Sequence, residues 1–212
     1  MFDIDLTKYT LVDLSLEVVP NQGNEERPFE VKPGTLPDGT NRFDIVNTHT
    51  HVGTHVESPW HFYGEGKTCV DYPLEYFMGK AALLESAIPE AGDAIGLAYV
   101  REQLESRKGQ FEILFIRNRT GRKPVTYSME CVPYFLELGI KMLVFESTIE
   151  FGKGIEDGRA FHDVLMSRDV LFVEFPDGAE ALDRDMFYLF AVPIRVSQLD
   201  SSPCRLFAVV ER

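Results

Sequence analysis

Hydrophobic positions along the chain fall into short blocks broken by glycine, proline and charge. Residues 9–19 (YTLVDLSLEVV) are rich in β-branched side chains and partly alternate, which predicts a strand. Residues 20–41 carry Pro20, Gly23, Pro28, Pro33, Gly34, Pro37 and Gly39, punctuation that predicts a long loop, either a binding loop or a merely mobile one. RFDIVNT (42–48) and GKAALLESAI (79–88) predict strands. Apolar residues at 97, 100 and 104 share one face of a helix over 97–107. FEILFIRN (111–118) and IKMLVFES (140–147) read as buried strands around a helix at 128–138, whose first half Pro133 limits. Strand, helix and strand at this spacing form a βαβ unit with parallel pairing. A short helix at 158–168, a strand at 169–175 and two closing strands, FYLFAVPIRVSQ and CRLFAVVE, complete the reading. Strands outnumber helices. The expectation is one α/β domain, residues 1–212, with a mixed sheet and substantial antiparallel pairing, not a doubly wound fold.

Composition narrows the partners. The chain has 212 residues, 44% of them hydrophobic, enough to bury a core without disulfides. Its net charge is −13, with no Lys/Arg-rich run; the densest basic stretch, RNRTGRK (117–123), reads as a loop after a strand. Nucleic acid and anionic membrane surfaces are poor partners for such a chain. Cys69, Cys131 and Cys204 are widely spaced and form no disulfide framework, which suits a reducing, cytoplasmic setting. The first residues have no apolar core of a signal peptide, and no run is long enough to span a membrane.

The chemistry is concentrated in one place. Of five histidines, four lie at 49, 51, 55 and 61, within THTHVGTHVESPWH. Gly53 permits a turn and Pro59 opposes a regular helix at Ser58, so the side chains converge off a strand end. Neutral imidazole and carboxylate bind divalent transition metals, and His51, His55 and Glu57 form the set H-x3-H-x-E. Three protein ligands with an open position make a catalytic pattern, since such a metal activates water and polarises a carbonyl. His61 is a fourth ligand or a general acid and base. Four unrelated surface or core histidines are the plainer alternative. Cys69 is a less favoured soft ligand. Ser58 and Ser147 lie in no G-x-S-x-G elbow, and the glycines of 151–158 match no phosphate-binding pattern.

HVGTHVESPWH (51–61), with the following FYGEGKT, resembles the H-x-G-T-H-x-D-x-P-x-H motif of the cyclase-like metal hydrolases, a family that includes the bacterial kynurenine formamidases and isatin hydrolase. Asp13-Leu14-Ser15, Phe161-His162-Asp163-Val164-Leu165, Glu174 and Ser202-Pro203-Cys204-Arg205 resemble further family segments, so the likeness covers essentially the whole chain. The resemblance implies a swivelling β/β/α-like fold and a zinc or manganese site of one or two ions. It implies that His51, His55 and position 57 hold metal and that His61 is catalytic. His162 and Glu174 complete the site as second-metal ligands or as proton-transfer and orienting groups. Trp60 and Phe62 are candidate pocket walls. The implied activity is hydrolysis of a small amide, such as N-formylkynurenine in tryptophan catabolism, or of a cyclic amide or lactone, by a homodimer or homotetramer. Glu57 stands where the family usually has Asp, Trp60 replaces a small residue, and ESTIEF (146–151) replaces a D-x-P-S-I-D-like segment. These departures keep two other readings open: a non-catalytic, ligand-binding relative, and a metal-dependent dehydratase or lyase.

Overall fold

A computed structural model describes residues 5–22, 26–86, 94–121 and 123–212. The first strands are β1 (Tyr9–Asp13), β2 (Phe29–Thr35), β3 (Asn41–Thr48) and β4 (His55–Glu57). A short helix α1 (Pro59–Tyr63) leads to β5 (Met78–Ser86) and α2 (Leu97–Leu104), and then to β6 (Ile113–Asn118) and β7 (Val125–Tyr127). The rest is α3 (Cys131–Glu137), β8 (Met142–Phe145), β9 (Ile149–Phe151), α4 (Gly154–Met166), β10 (Leu171–Glu174), β11 (Met186–Pro193) and β12 (Ser201–Glu211).

The main sheet runs β1-β12-β11-β5-β6-β8-β10-β4. Its centre, β5-β6-β8-β10, is parallel, and its flanks are antiparallel. This is the mixed sheet expected, and β6-α3-β8 is the expected βαβ unit. The small β4 pairs with β10 on one side and with the start of β12 on the other, so the sheet closes on itself.

Alternation along the strands splits the core in two. Ala81, Leu83, Ile113, Phe115, Met142, Val144, Leu171 and Val173 fill the inside of the closed sheet. Ala82, Leu84, Leu114, Ile116, Leu143, Phe145 and Phe172 face outward under α2, α3 and α4. Burial on both faces explains why these strands read as unbroken apolar runs.

The structure revises several boundaries. β1 ends at Asp13; beyond it only Ser15 makes an isolated bridge, to Pro176. The expected loop 20–41 contains β2, which forms a two-stranded ribbon with β3. Pro33 is tolerated there because, among the described residues, β2 pairs only with β3 and leaves its other edge unpaired. Helix α4 begins at Gly154 and not at 158. The helix expected over 97–107 is α-helical to Leu104 and finishes as a 3-10 turn over Glu105–Arg107. Residues 87 and 88 of the expected strand 79–88 lie outside the described residues. Among those described, no helix is long and apolar enough to cross a membrane.

Candidate metal centre

The turn before β4 is tied down from three directions. Gly53 has φ +62°, a left-handed conformation, and Val18 stands where a Cβ at this position would lie. The Thr54 hydroxyl donates to the Phe175 carbonyl at 2.6 Å and accepts the Leu16 N–H at 2.7 Å. Strand alternation then puts Val56 inside the closed sheet, with His55 and Glu57 on the opposite, helix-covered face. Antiparallel register sets Glu174 of β10 directly opposite His55. Pro59 opens α1, which brings His61 back over Glu57.

The result is a buried cluster around one carboxylate oxygen. Glu57 Oε1 lies 2.7 Å from His51 Nδ1, 3.3 Å from His55 Nε2 and 4.0 Å from His61 Nε2. His51 Nδ1 and His55 Nε2 are 3.1 Å apart, and Glu174 Oε2 is 3.8 Å from His55 Nε2. Two overlapping groups can each hold a cation: His51, Glu57 and His61, and His55, Glu57 and Glu174. Each imidazole is anchored through its outer nitrogen. His55 Nδ1 donates to the Gly53 carbonyl at 2.8 Å. His51 Nε2 and His61 Nδ1 both lie 3.0 Å from Asp200 Oδ2. The inner nitrogens therefore face a common space, as metal-binding histidines do.

Charges are set by these contacts. Burial opposes ionisation of Glu57, but hydrogen bonds from His51 and His55 outweigh it and hold the carboxyl well below its usual range. Burial, followed by the Glu57 charge, pushes Glu174 up to about 8. Burial works against charged His51, yet Glu57 and Asp200 raise its pKa above the ordinary value. Asp200 pays a burial cost and is still held low by His51, His61 and Thr50. Glu57 Oε2 is buried without a hydrogen-bond partner among the described residues. An unpartnered buried carboxylate oxygen is costly. That orphan, on the carboxylate whose other oxygen meets the inward-facing nitrogens, fits a divalent transition metal.

Two cavities flank the cluster. One, of about 370 Å³, touches His51, Gly53, Arg27, Phe29 and Phe175. The other, of about 350 Å³, is lined by His61, Phe62, Ile155, Gly158, Arg159 and His162. His162 belongs to neither ligand group. Its Nδ1 donates to the Gly158 carbonyl at 2.7 Å, and its ring stacks on Phe62 with centroids 5.6 Å apart. Trp60 is half-buried and lines neither cavity. Cys69 is buried, with its Sγ 3.9 Å from the Val56 carbonyl, and is in neither ligand group. His49 packs beside His51 with its ring tilted by 51°, and its Nδ1 accepts the His51 N–H. Glu146 lies away from the cluster and accepts the Asn118 N–H at 2.8 Å. Asp200 and Phe175 are absent from the sequence reading. Phe175, with φ 57°, stacks 5.7 Å from His55, and this strained position ends β10 just after Glu174.

Fold and site together define a mixed-sheet protein with a histidine–carboxylate centre suited to a divalent metal. Residues 12–149 match the cyclase family, more than half of the chain, and the chain belongs to that family. It is 22% identical over 200 residues to the kynurenine formamidase of Bacillus cytotoxicus, covering 91% of each chain. It is 23% identical over 201 residues to that of Bacillus cereus, with the same coverage. Isatin hydrolase A from Labrenzia aggregata, bound to benzyl benzoate, superposes with a TM-score of 0.77 at 18% identity, covering 97% of this chain and 95% of that one. A structure described as a potential metal-dependent hydrolase with cyclase activity gives 0.72 at 16% identity, covering 96% and 99%. These structures share the fold.

Proposed function

We propose that the protein hydrolyses a small-molecule amide with the help of a divalent metal, zinc or manganese, held by His51, His55 and Glu57. The observation that carries this reading is the convergence of His51 and His55 nitrogens on Glu57 Oε1, while the other oxygen of that buried carboxylate has no partner among the described residues. When bound there, such a metal activates water and polarises a carbonyl. The kynurenine formamidases to which the chain is similar support an amide substrate, with an arylformamide as the first candidate and a cyclic amide or lactone as the next.

The chain's own residues have defined parts. Glu57 and the three imidazoles hold the charge of the site. His61, half-exposed and lining the second cavity, takes at Nε2 the proton lost by the attacking water and delivers it to the leaving amine. Phe62 and His162 wall that cavity, and Phe175 and Phe29 wall the other, which suits a flat, partly apolar substrate. Glu174 is the carboxylate available for a second ion. A homodimer or homotetramer is the proposed assembly.

Metal analysis of the purified protein, joined to a screen of formanilides, lactams and lactones, tests this. The expected result is stoichiometric metal and turnover of at least one amide. Metal-replete protein that hydrolyses none of them overturns the reading. An unsaturated product would assign the same residues to a lyase instead.

A further inference from the structure

We propose that Asp200 is a positioning residue that fixes the tautomers of two histidines at once: His51, whose inner nitrogen it frees for a metal, and His61, whose inner nitrogen it frees for proton transfer. The inference rests on the hydrolase reading above for its chemistry, though not for its geometry.

A single oxygen, Asp200 Oδ2, accepts from His51 Nε2 and from His61 Nδ1, each at 3.0 Å. The two rings are approached through opposite nitrogens. A proton held on His51 Nε2 leaves Nδ1 turned to Glu57, 2.7 Å away, where a second proton fills the contact until a metal takes its place. A proton held on His61 Nδ1 leaves Nε2 as a lone pair toward the same Glu57 oxygen. The two rings pack with centroids 4.3 Å apart, so one carboxylate can span both. An imidazole presents one donor and one acceptor when neutral, and the partner of one nitrogen decides the role of the other.

Asp200 is itself held. Its Oδ1 accepts the Thr50 hydroxyl at 2.9 Å. Its main-chain carbonyl accepts from the Ser58 N–H at 3.1 Å and the Ser58 hydroxyl at 2.9 Å. The turn before it carries Gln198 at φ 61°, a left-handed conformation that a side chain adopts at some cost. β12 begins at the next residue, where Ser201 pairs with Glu57. Asp200 is thus fastened to both ends of the histidine motif, through Thr50 and Ser58. A carboxylate placed behind a metal-binding histidine raises ligand basicity and fixes the ring.

The test uses Asp200→Asn and, because residue 200 also shapes a turn, Thr50→Val, which removes only the hydroxyl on Oδ1. Long-range proton–nitrogen NMR of the imidazoles in metal-free protein, above neutral pH, reads the tautomer of His61 directly. The expected result is an Nδ1–H form in the wild type that shifts toward Nε2–H in Asp200→Asn. Cobalt titration, followed by its visible absorption, should show metal affinity falling about 10–100-fold in Asp200→Asn and less in Thr50→Val. On any amide that is turned over, kcat should fall with KM little changed, and Asp200→Glu should recover part of it. An Nε2–H tautomer of His61 in the wild type overturns the proposal, as does an Asp200→Asn variant with unaltered tautomer and metal affinity. Failure to find a substrate would count against the hydrolase reading alone, since tautomer and cobalt affinity are read without one.

Discussion

His51 Nδ1 lies 2.7 Å from Glu57 Oε1 while the other nitrogen of the same ring faces Asp200. With Nε2–H committed to Asp200, the inner contact requires a second positive centre, a proton or a metal. A bound metal stabilises the native state by mass action, by about 2.7 kcal/mol at a hundredfold excess over Kd. Zinc or manganese should therefore raise the melting temperature of the chelator-stripped protein by roughly 5–10 °C, at about 2–4 °C per kcal/mol for a chain of this size. Differential scanning fluorimetry checks this, and Glu57→Gln should abolish the shift.

The longer carboxylate at position 57 is matched to its surroundings. Glu57 reaches His51 and His55 from a strand whose main chain pairs on both sides, so the backbone cannot follow a shortened side chain. Glu57→Asp should weaken zinc binding by about 10–100-fold, a loss of the size caused by misplacing groups around a metal. Tighter binding in calorimetric titration would show instead that the site favours the shorter acid.

Gly53 offers a stability test beside the site. A Cβ there would meet Val18 Cγ2 at 2.5 Å and would sit at positive φ. Gly53→Ala should cost about 1–3 kcal/mol in urea unfolding. Gly158 is the control: it lies inside α4, where an added Cβ meets nothing within 4 Å. Gly158→Ala should stabilise by about 0.5–1 kcal/mol.

Thiol chemistry should be absent from the folded protein. Burial pushes Cys69, Cys131 and Cys204 up to about 12. A raised thiol pKa leaves the unreactive protonated form dominant across neutral pH. Iodoacetamide should leave any amide turnover unchanged and label no cysteine at pH 8 within the time that denatured protein is fully labelled. Mass spectrometry reads the difference.

The legible parts of this molecule were those set by local rules. Ile113, Leu114, Phe115 and Ile116 are apolar on both faces of β6 and read as a buried strand without help. The spacing of His51, His55, Glu57 and His61 pointed to the residues that the fold gathers into the candidate centre, because the turn at Gly53 and the helix start at Pro59 are written in the chain. Illegible parts depended on distant partners. Pro33 and Gly34 look like loop residues until β3 pairs with them. Gly154, at φ 77°, hid the start of α4 among glycines. Asp200 meets His51 and His61 across separations of 149 and 139 residues, which no local pattern encodes. A signal did exist: Asp200 stands two residues before the Ser202-Pro203-Cys204-Arg205 segment already singled out.

β4 is only three residues long, yet it joins β10 to β12 and carries both His55 and Glu57. These candidate ligands thus sit on the seam of the closed sheet. A cation gripping them would act as a clasp, tying a strand from the middle of the chain to strands from its end. Loss of the cation would be felt first as a loosened seam, with the parallel centre of the sheet intact. Chemistry and closure are in this way fastened at one point.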